Sequence, residues 1–255
     1  MEKGKTLTGG ALVSSARAGY LSNLAAALLN GCLEFVHSRW PQACLLCGAG
    51  GGEGMLCVAC REDLPWLPSQ RCVTCAVPLA SGAVCGGCLD QPPRFDRVQA
   101  VFAYRYPMAG LIHACKYGGR LALAGLLGGE LARHVARDVD AIVPMPLAPR
   151  RLAERGFNQA LEIARPIARR TRIPLLRNAC RKIVDTEPQA ALPWQERARN
   201  IRRAFACDAD LRGKRVAVVD DVLTTGATLN EVARVLRRAG AVEVVGWVVA
   251  RTLPR

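Results

Sequence analysis

Apolar positions in the last third of the chain follow two different periods. Val216–Val219 form an unbroken apolar run that ends on Asp220 and Asp221. Leu229, Val232, Ala233 and Leu236 then recur at i, i+3, i+4 and i+7, which is one face of a helix, and Gly240 suits its C-terminus. "VEVVGWVVA" (242–250) is a second apolar run of strand length. Upstream, "VQAVFAY" (98–104) and "DAIVPMP" (140–146) read as strands, and Met108–Tyr117, Leu121–Arg137 and Phe157–Thr171 as helices. Pro166 is expected to kink or shorten the last of these. Strands alternating with helices predict an α/β domain with a largely parallel sheet flanked by helices. Ligands of such sheets sit beyond the carboxyl ends of the strands, where Asp220 and Asp221 are expected. Residues 178–204 show little periodicity and read as a loop.

The pattern changes upstream of residue 93. "DQPPRFDR" (90–97) reads as a linker, and Cys44–Cys88 is too poor in apolar residues for a core of its own. Ala16–Arg39 reads as a helix ended by Pro41. Its apolar stretch is interrupted by Asn23, Asn30 and Glu34, so an amphipathic helix is expected there, not a membrane span. Three parts are therefore predicted: an N-terminal helical segment (1–40), a cysteine module (41–92) and the α/β domain (93–255).

Eight of the twelve cysteines form four CxxC pairs. Cys44, Cys47, Cys57 and Cys60 read C-x2-C-x9-C-x2-C, and Cys72, Cys75, Cys85 and Cys88 repeat that spacing. Two CxxC turns complete the tetrahedral sulfur shell that zinc prefers, so two tandem ribbons with two structural zinc sites are expected. Cross-braced pairing, an iron–sulfur cluster and a redox dithiol are the alternatives. Nothing at the N-terminus reads as a cleavable signal peptide, and metal-holding cysteines favour the cytoplasm. Cys32, Cys115, Cys180 and Cys207 are scattered and read as small packing residues, and His37, His113 and His134 as isolated ones.

With 51% hydrophobic residues the 255-residue chain is no disordered or low-complexity protein. Its formal charge of +14 is local: Arg150–Arg215 holds 17 Lys/Arg against 7 Asp/Glu. A basic stretch of this kind suits phosphates or nucleic acid.

In "VAVVDDVLTTGATL" (216–229), the turn Thr224, Thr225, Gly226, Ala227 and Thr228 follows the acids and opens a helix. Its N–H groups and hydroxyls suit one phosphate. There is no GxxxxGK[ST], so it is not a nucleoside-triphosphate loop. Two carboxylates suit sugar hydroxyls, directly or through Mg²⁺. A receiver-type Mg²⁺ site also uses adjacent acids but gives no reason for TTGAT. Phosphate beside a diol describes a ribose 5-phosphate.

This stretch resembles the signature of type I phosphoribosyltransferases, in which the acid pair holds the ribose hydroxyls of phosphoribosyl pyrophosphate (PRPP) and the loop its 5-phosphate. The cysteine ribbons, "HACKYGGR" (113–120), "VPMPLAPRRLAERGFNQA" (143–160), "TEPQAALPWQERARNIRRAF" (186–205) and the signature, taken in order, resemble the ComF competence-protein family. That resemblance implies catalytic-type roles for Asp220 and Asp221, and a pyrophosphate-side loop at Pro144–Arg151. It implies further PRPP contacts from Lys116, Arg150, Arg151 and Arg155, and a flexible loop at Thr186–Phe205. It also implies magnesium bound with PRPP, and single-stranded DNA and the DNA-uptake machinery as partners. The setting it implies is cytoplasmic, with association at the inner face of the membrane. No base-recognition residue stands out. An active phosphoribosyltransferase using a nucleobase or amine acceptor is the alternative function.

Overall fold

A computed structural model describes residues 43–50, 55–118, 120–184 and 204–253. The helix expected over Ala16–Arg39 and most of the loop 186–205 lie outside these. By contacts the chain divides into two units, Met1–Asp63 and Leu64–Arg255. The first cysteine set therefore belongs to the smaller unit and the second to the larger.

In the smaller unit the described residues form two turns around Cys44–Cys47 and Cys57–Cys60. The second turn opens helix α1 (Val58–Glu62), whose N-cap is Cys57.

The larger unit starts with the second cysteine set and helix α2 (Gly86–Asp90). The α/β part then runs β1 (Arg97–Ala103), α3 (Met108–Tyr117), α4 (Leu121–His134) and β2 (Ala141–Pro144). It continues with α5 (Pro149–Arg155), α6 (Gln159–Thr171), β3 (Cys180–Lys182), β4 (Phe205–Cys207), β5 (Arg215–Leu223), α7 (Ala227–Arg238) and β6 (Glu243–Arg251). Four strands form the expected parallel sheet in the order β1-β6-β5-β2, and β3 and β4 pair antiparallel beside it. Both central strands are buried along nearly their whole length, which is why they read as apolar runs. Helices cover the sheet, with Leu229, Val232, Ala233 and Leu236 of α7 all buried.

Three local readings change. β5 does not stop at the acids but runs on to Leu223, with Val222 opposite Ala250 and Leu223 opposite Arg251. Two more apolar residues and a long β6 partner carry the ladder past the charges. Pro149–Arg155, expected as part of a loop and its continuation, is a helix of its own. Pro149 starts it with a preset φ, and Gly156 ends it at φ +78. The helix expected from Phe157 begins instead at Gln159, because Asn158 caps it by accepting from the N–H groups of Ala160 and Leu161.

Pro166 does not shorten α6, which continues to Thr171. Gly128 on α4 explains the tolerance. A Cβ added there would lie 2.5 Å from Pro166 Cγ and 2.3 Å from Ile163 O. The two helices meet at this bare backbone, and the packing holds the proline turn in place. β3 is too short for periodicity to reveal.

The second cysteine set is built into the α/β sheet. Leu67 N–H donates to Val101 O at 3.0 Å and Ala103 N–H to Pro65 O at 2.7 Å. Trp66 stacks on Phe102 with centroids 4.6 Å apart, and Arg71 Nη1 donates to Ala100 O at 2.9 Å. No described helix is long and apolar enough to cross a membrane.

Candidate functional site

The acid pair lies in the C-terminal half of β5. Asp221 is 4% exposed. Its Oδ1 meets Lys116 Nζ at 2.9 Å, while its buried Oδ2 has no hydrogen-bond partner among the described residues. Asp220 Oδ1 accepts the Asp221 N–H at 2.8 Å. Burial first, and the Asp221 charge second, push Asp220 up to about 7, against the pull of Lys116. Burial works against the Lys116 ammonium, but Asp221 and then Asp220 outweigh it and hold it above the usual lysine range. α3 thus ends by aiming a cation at the acids. The result is a carboxylate oxygen with nothing to bind and a second carboxyl poised to lose its proton near neutrality.

Beyond β5, Thr224 and Thr225 are exposed and Gly226 turns the chain at φ +82. That conformation calls for glycine, and the Phe95 ring packs 3.5 Å from where a Cβ would stand. Ala227 N–H donates to Thr225 Oγ1 at 3.3 Å, and Thr228 lies in the first turn of α7. The loop is pinned from outside by Arg251 at the end of β6. Its Nη1 donates to Leu223 O at 3.1 Å and also to Thr224 O, while its Nε donates to Cys75 O at 2.9 Å. One guanidinium therefore ties the second CxxC turn to the start of the threonine loop. Sequence reasoning missed Arg251 because nothing in a strand-ending arginine marks it.

The predicted arginines divide. Arg155, in the last turn of α5, donates to Gln159 Oε1, and its guanidinium lies over the Tyr117 ring, 5.1 Å from the centroid. It stands beside the helix end that carries Lys116. Arg150 is paired with Glu154 at 2.9 Å on an exposed face, and Arg151 is exposed. The charges that act on Asp220 are those of Asp221 and Lys116, not of Arg150 or Arg151. The arginines of the stretch 186–205, Arg197 and Arg199 among them, lie outside the described residues.

Each cysteine set is brought together. In both, the four Sγ atoms lie within 4.8 Å of one another. Cys47 and Cys57 Sγ are 3.7 Å apart, and Cys75 and Cys85 Sγ 3.6 Å. Four sulfurs about 2.3 Å from a zinc ion stand roughly 3.8 Å apart, so the tetrads fit structural zinc. Pairing is within each repeat, not cross-braced. Backbone N–H groups of Cys57, Cys47 and Leu46 bring Cys44 down to about 6. Burial pushes Cys72 up, but N–H groups of Cys85, Cys75 and Thr74 outweigh it and bring it to about 6 as well. The first ligand of each repeat thus favours the thiolate that a metal needs. The scattered Cys115 and Cys180 are buried packing residues, as expected, with burial pushing them up to about 11 and about 12. His134 packs against Trp66 and His113 against Tyr117.

Comparison with known proteins covers most of the chain. Residues 35–89 match the double zinc ribbon domain and residues 178–252 the phosphoribosyl transferase domain. DNA utilization protein YhgH of Escherichia coli strain K12 is 35% identical over 225 residues, covering 84% of this chain and 98% of that protein. Competence protein F of Haemophilus influenzae is 32% identical, covering 77% and 90%, and competence protein ComFC of Bacillus subtilis 26%, covering 72% and 79%. Among solved structures, the glutamine PRPP amidotransferase of B. subtilis is 26% identical over 48% of this chain and 25% of its own, with a TM-score of 0.35.

Proposed function

This chain belongs to the family of competence protein F and DNA utilization protein YhgH, and from that premise we propose that it binds PRPP with magnesium at the acid pair and handles incoming single-stranded DNA. The observation that carries the PRPP half is Asp221. Among the described residues its buried Oδ2 has no hydrogen-bond partner, while Lys116 holds the other oxygen. An unsatisfied buried carboxylate oxygen costs stability unless something completes it. Magnesium fits this donor set, since it prefers hard oxygen ligands and takes one or two carboxylates together with substrate phosphates. When bound, it would neutralise pyrophosphate charge.

The chain's own groups supply the rest. Thr224, Thr225 and Thr228 offer hydroxyls, and the Gly226 turn offers N–H groups, to the 5-phosphate. Asp220 and Asp221 accept from the ribose hydroxyls. Lys116 and Arg155 face the pyrophosphate side, with Arg150 and Arg151 on α5 as more distant cations. Metal-holding cysteines fit a cytoplasmic setting, at the inner face of the membrane where a strand arrives. Equilibrium titrations with PRPP and with a single strand, while pyrophosphate release is monitored, test both halves of this function.

One observation favours active transfer to an acceptor. Tyr117 is 68% exposed beside Lys116, with Arg155 over its ring. That is an exposed aromatic side chain for a planar acceptor, with Arg155 and His113 already against its ring. PRPP-dependent pyrophosphate release with a nucleobase or an amine would make this reading the right one.

The titration of Asp220 sets a pH dependence. A cation binds only the ionised carboxyl, and Asp220 loses its proton near 7. Affinity for magnesium and PRPP should be flat above that value and fall, at the limit about tenfold per pH unit, below it. Calorimetry from roughly pH 6 to pH 8 should show proton release that grows toward the acid side, and Asp220→Asn should remove it.

A further inference from the structure

We propose that the groove between the second cysteine turn and α7 is the track of a single DNA strand. The proposal rests on the DNA-handling reading above and gives it a location. The groove encloses about 1350 Å³, more than the roughly 300–1,000 Å³ of an ordinary small-ligand pocket. Cys85 and Cys88 of the second repeat, the segment Asp90–Phe95, and Arg234 and Arg238 of α7 line it, and at one end it reaches Thr225–Ala227 of the threonine loop.

Four arginines line it, Arg94, Arg234, Arg238 and Arg251, against two acids, Asp90 and Glu231. Two of the arginines are committed. Arg234 pairs with Glu231 at 2.7 Å, and Arg251 is fixed to backbone carbonyls. Arg94 and Arg238 are exposed, and among the described residues they carry no acid partner. They are the guanidiniums available to an anion, one on α7 and one on the segment before β1, whose backbone is tied to α7 through Asn230 and Arg237. Pro92, Pro93 and Val77 add apolar surface between the charges. Exposed cations set around apolar surface in a concavity suit a single strand, whose phosphates and unpaired bases are both accessible. None of these residues comes from the basic stretch Arg150–Arg215, so the groove is a separate anion surface from the one that net charge suggests.

Anisotropy titrations of a labelled thymidine oligonucleotide over a salt series, with the same strand in duplex as control, test the assignment. Each phosphate contact contributes a slope of about 0.7 on single strands. Arg94→Gln with Arg238→Gln should therefore flatten the salt dependence by about 1.4 and weaken binding about tenfold near 0.15 M salt. Zinc content should stay as in the parent. Asp90→Lys, at an exposed position in the same groove, should tighten binding and steepen the slope by about 0.7, a gain that a misfolded protein cannot mimic. If the parent binds the strand and neither substitution changes that, the groove is not the track, while the DNA reading stands. If the parent binds no strand, the DNA reading falls and the groove falls with it. Duplex bound by the parent as tightly as the single strand would overturn the single-strand assignment.

Discussion

Cys75→Ser should destabilise the larger unit and weaken PRPP binding, whereas Cys57→Ser should do neither. Both cysteines are ligands in sets of the same spacing, Cys57 the third of the first set and Cys75 the second of the second, so the difference tests how each site is built into the protein. The second tetrad belongs to the unit that contains the sheet. The Cys75 carbonyl receives Arg251 Nε, and the same guanidinium holds Leu223 O at the start of the threonine loop. Structural zinc in isolated finger peptides is worth about 10–16 kcal/mol at neutral pH. Even a third of that is a large share of the about 5–15 kcal/mol that keeps a domain folded. Metal analysis should give two zinc ions per chain in the parent and one in each variant. Thermal unfolding should show the transition of the larger unit lowered in Cys75→Ser alone. A Cys75→Ser protein with one zinc, an unshifted transition and parental PRPP affinity would detach the second ribbon from the phosphate loop. Iron and a visible charge-transfer band would replace the zinc assignment altogether.

Lys116→Met is expected to have the second large effect, and its size depends on pH. The Lys116 and Asp221 side chains are 23% and 6% exposed. Removing one partner of a buried pair leaves the other charge uncompensated, at about 3–5 kcal/mol. Partial exposure of the lysine and relief by protonation put the expected loss near the lower end, about 3 kcal/mol. For a unit of this size that is roughly 6–12 °C in Tm. Lys116 pulls Asp220 down, so without the cation that carboxyl, already raised, holds its proton to still higher pH in the folded state. Groups with a raised folded pKa lose stability as pH rises through that value. The deficit should therefore be small below pH 6 and grow as pH rises past about 7, the value to which Asp220 is already pushed with Lys116 present. Magnesium should recover part of it. A deficit that is the same at both pH values would mean that Lys116 acts by packing alone.

How much of this was legible from the residues depended on the length of each signal. The apolar runs before and after the acids named the central strands because both faces of those strands are covered. The eight cysteines showed their grouping because a metal shell needs fixed spacing. Lys116 could be selected by its setting in "HACKYGGR", and it does reach Asp221. Short elements were harder. α5 announced itself only by Pro149 and Gly156, a start and a stop around seven residues. Arg251 and Phe95 shape the loop from distant parts of the chain through contacts that no local pattern encodes. Tyr117 looked like one aromatic among few, and only the fold sets it beneath Arg155. Pro166 misled because a helix rule was applied without the neighbouring helix, whose Gly128 makes room for it.

The central claim is that Asp220 and Asp221 hold PRPP through magnesium, and calorimetric titration of PRPP into the protein with and without Mg²⁺ tests it most directly. The parent should bind in a magnesium-dependent manner. The Asp220→Asn, Asp221→Asn variant keeps the shape of both side chains but loses their charges, and it should show no magnesium-dependent heat while unfolding cooperatively and retaining its zinc. Binding by the double variant as tight as that of the parent would contradict the account and leave the acid pair as the end of a strand.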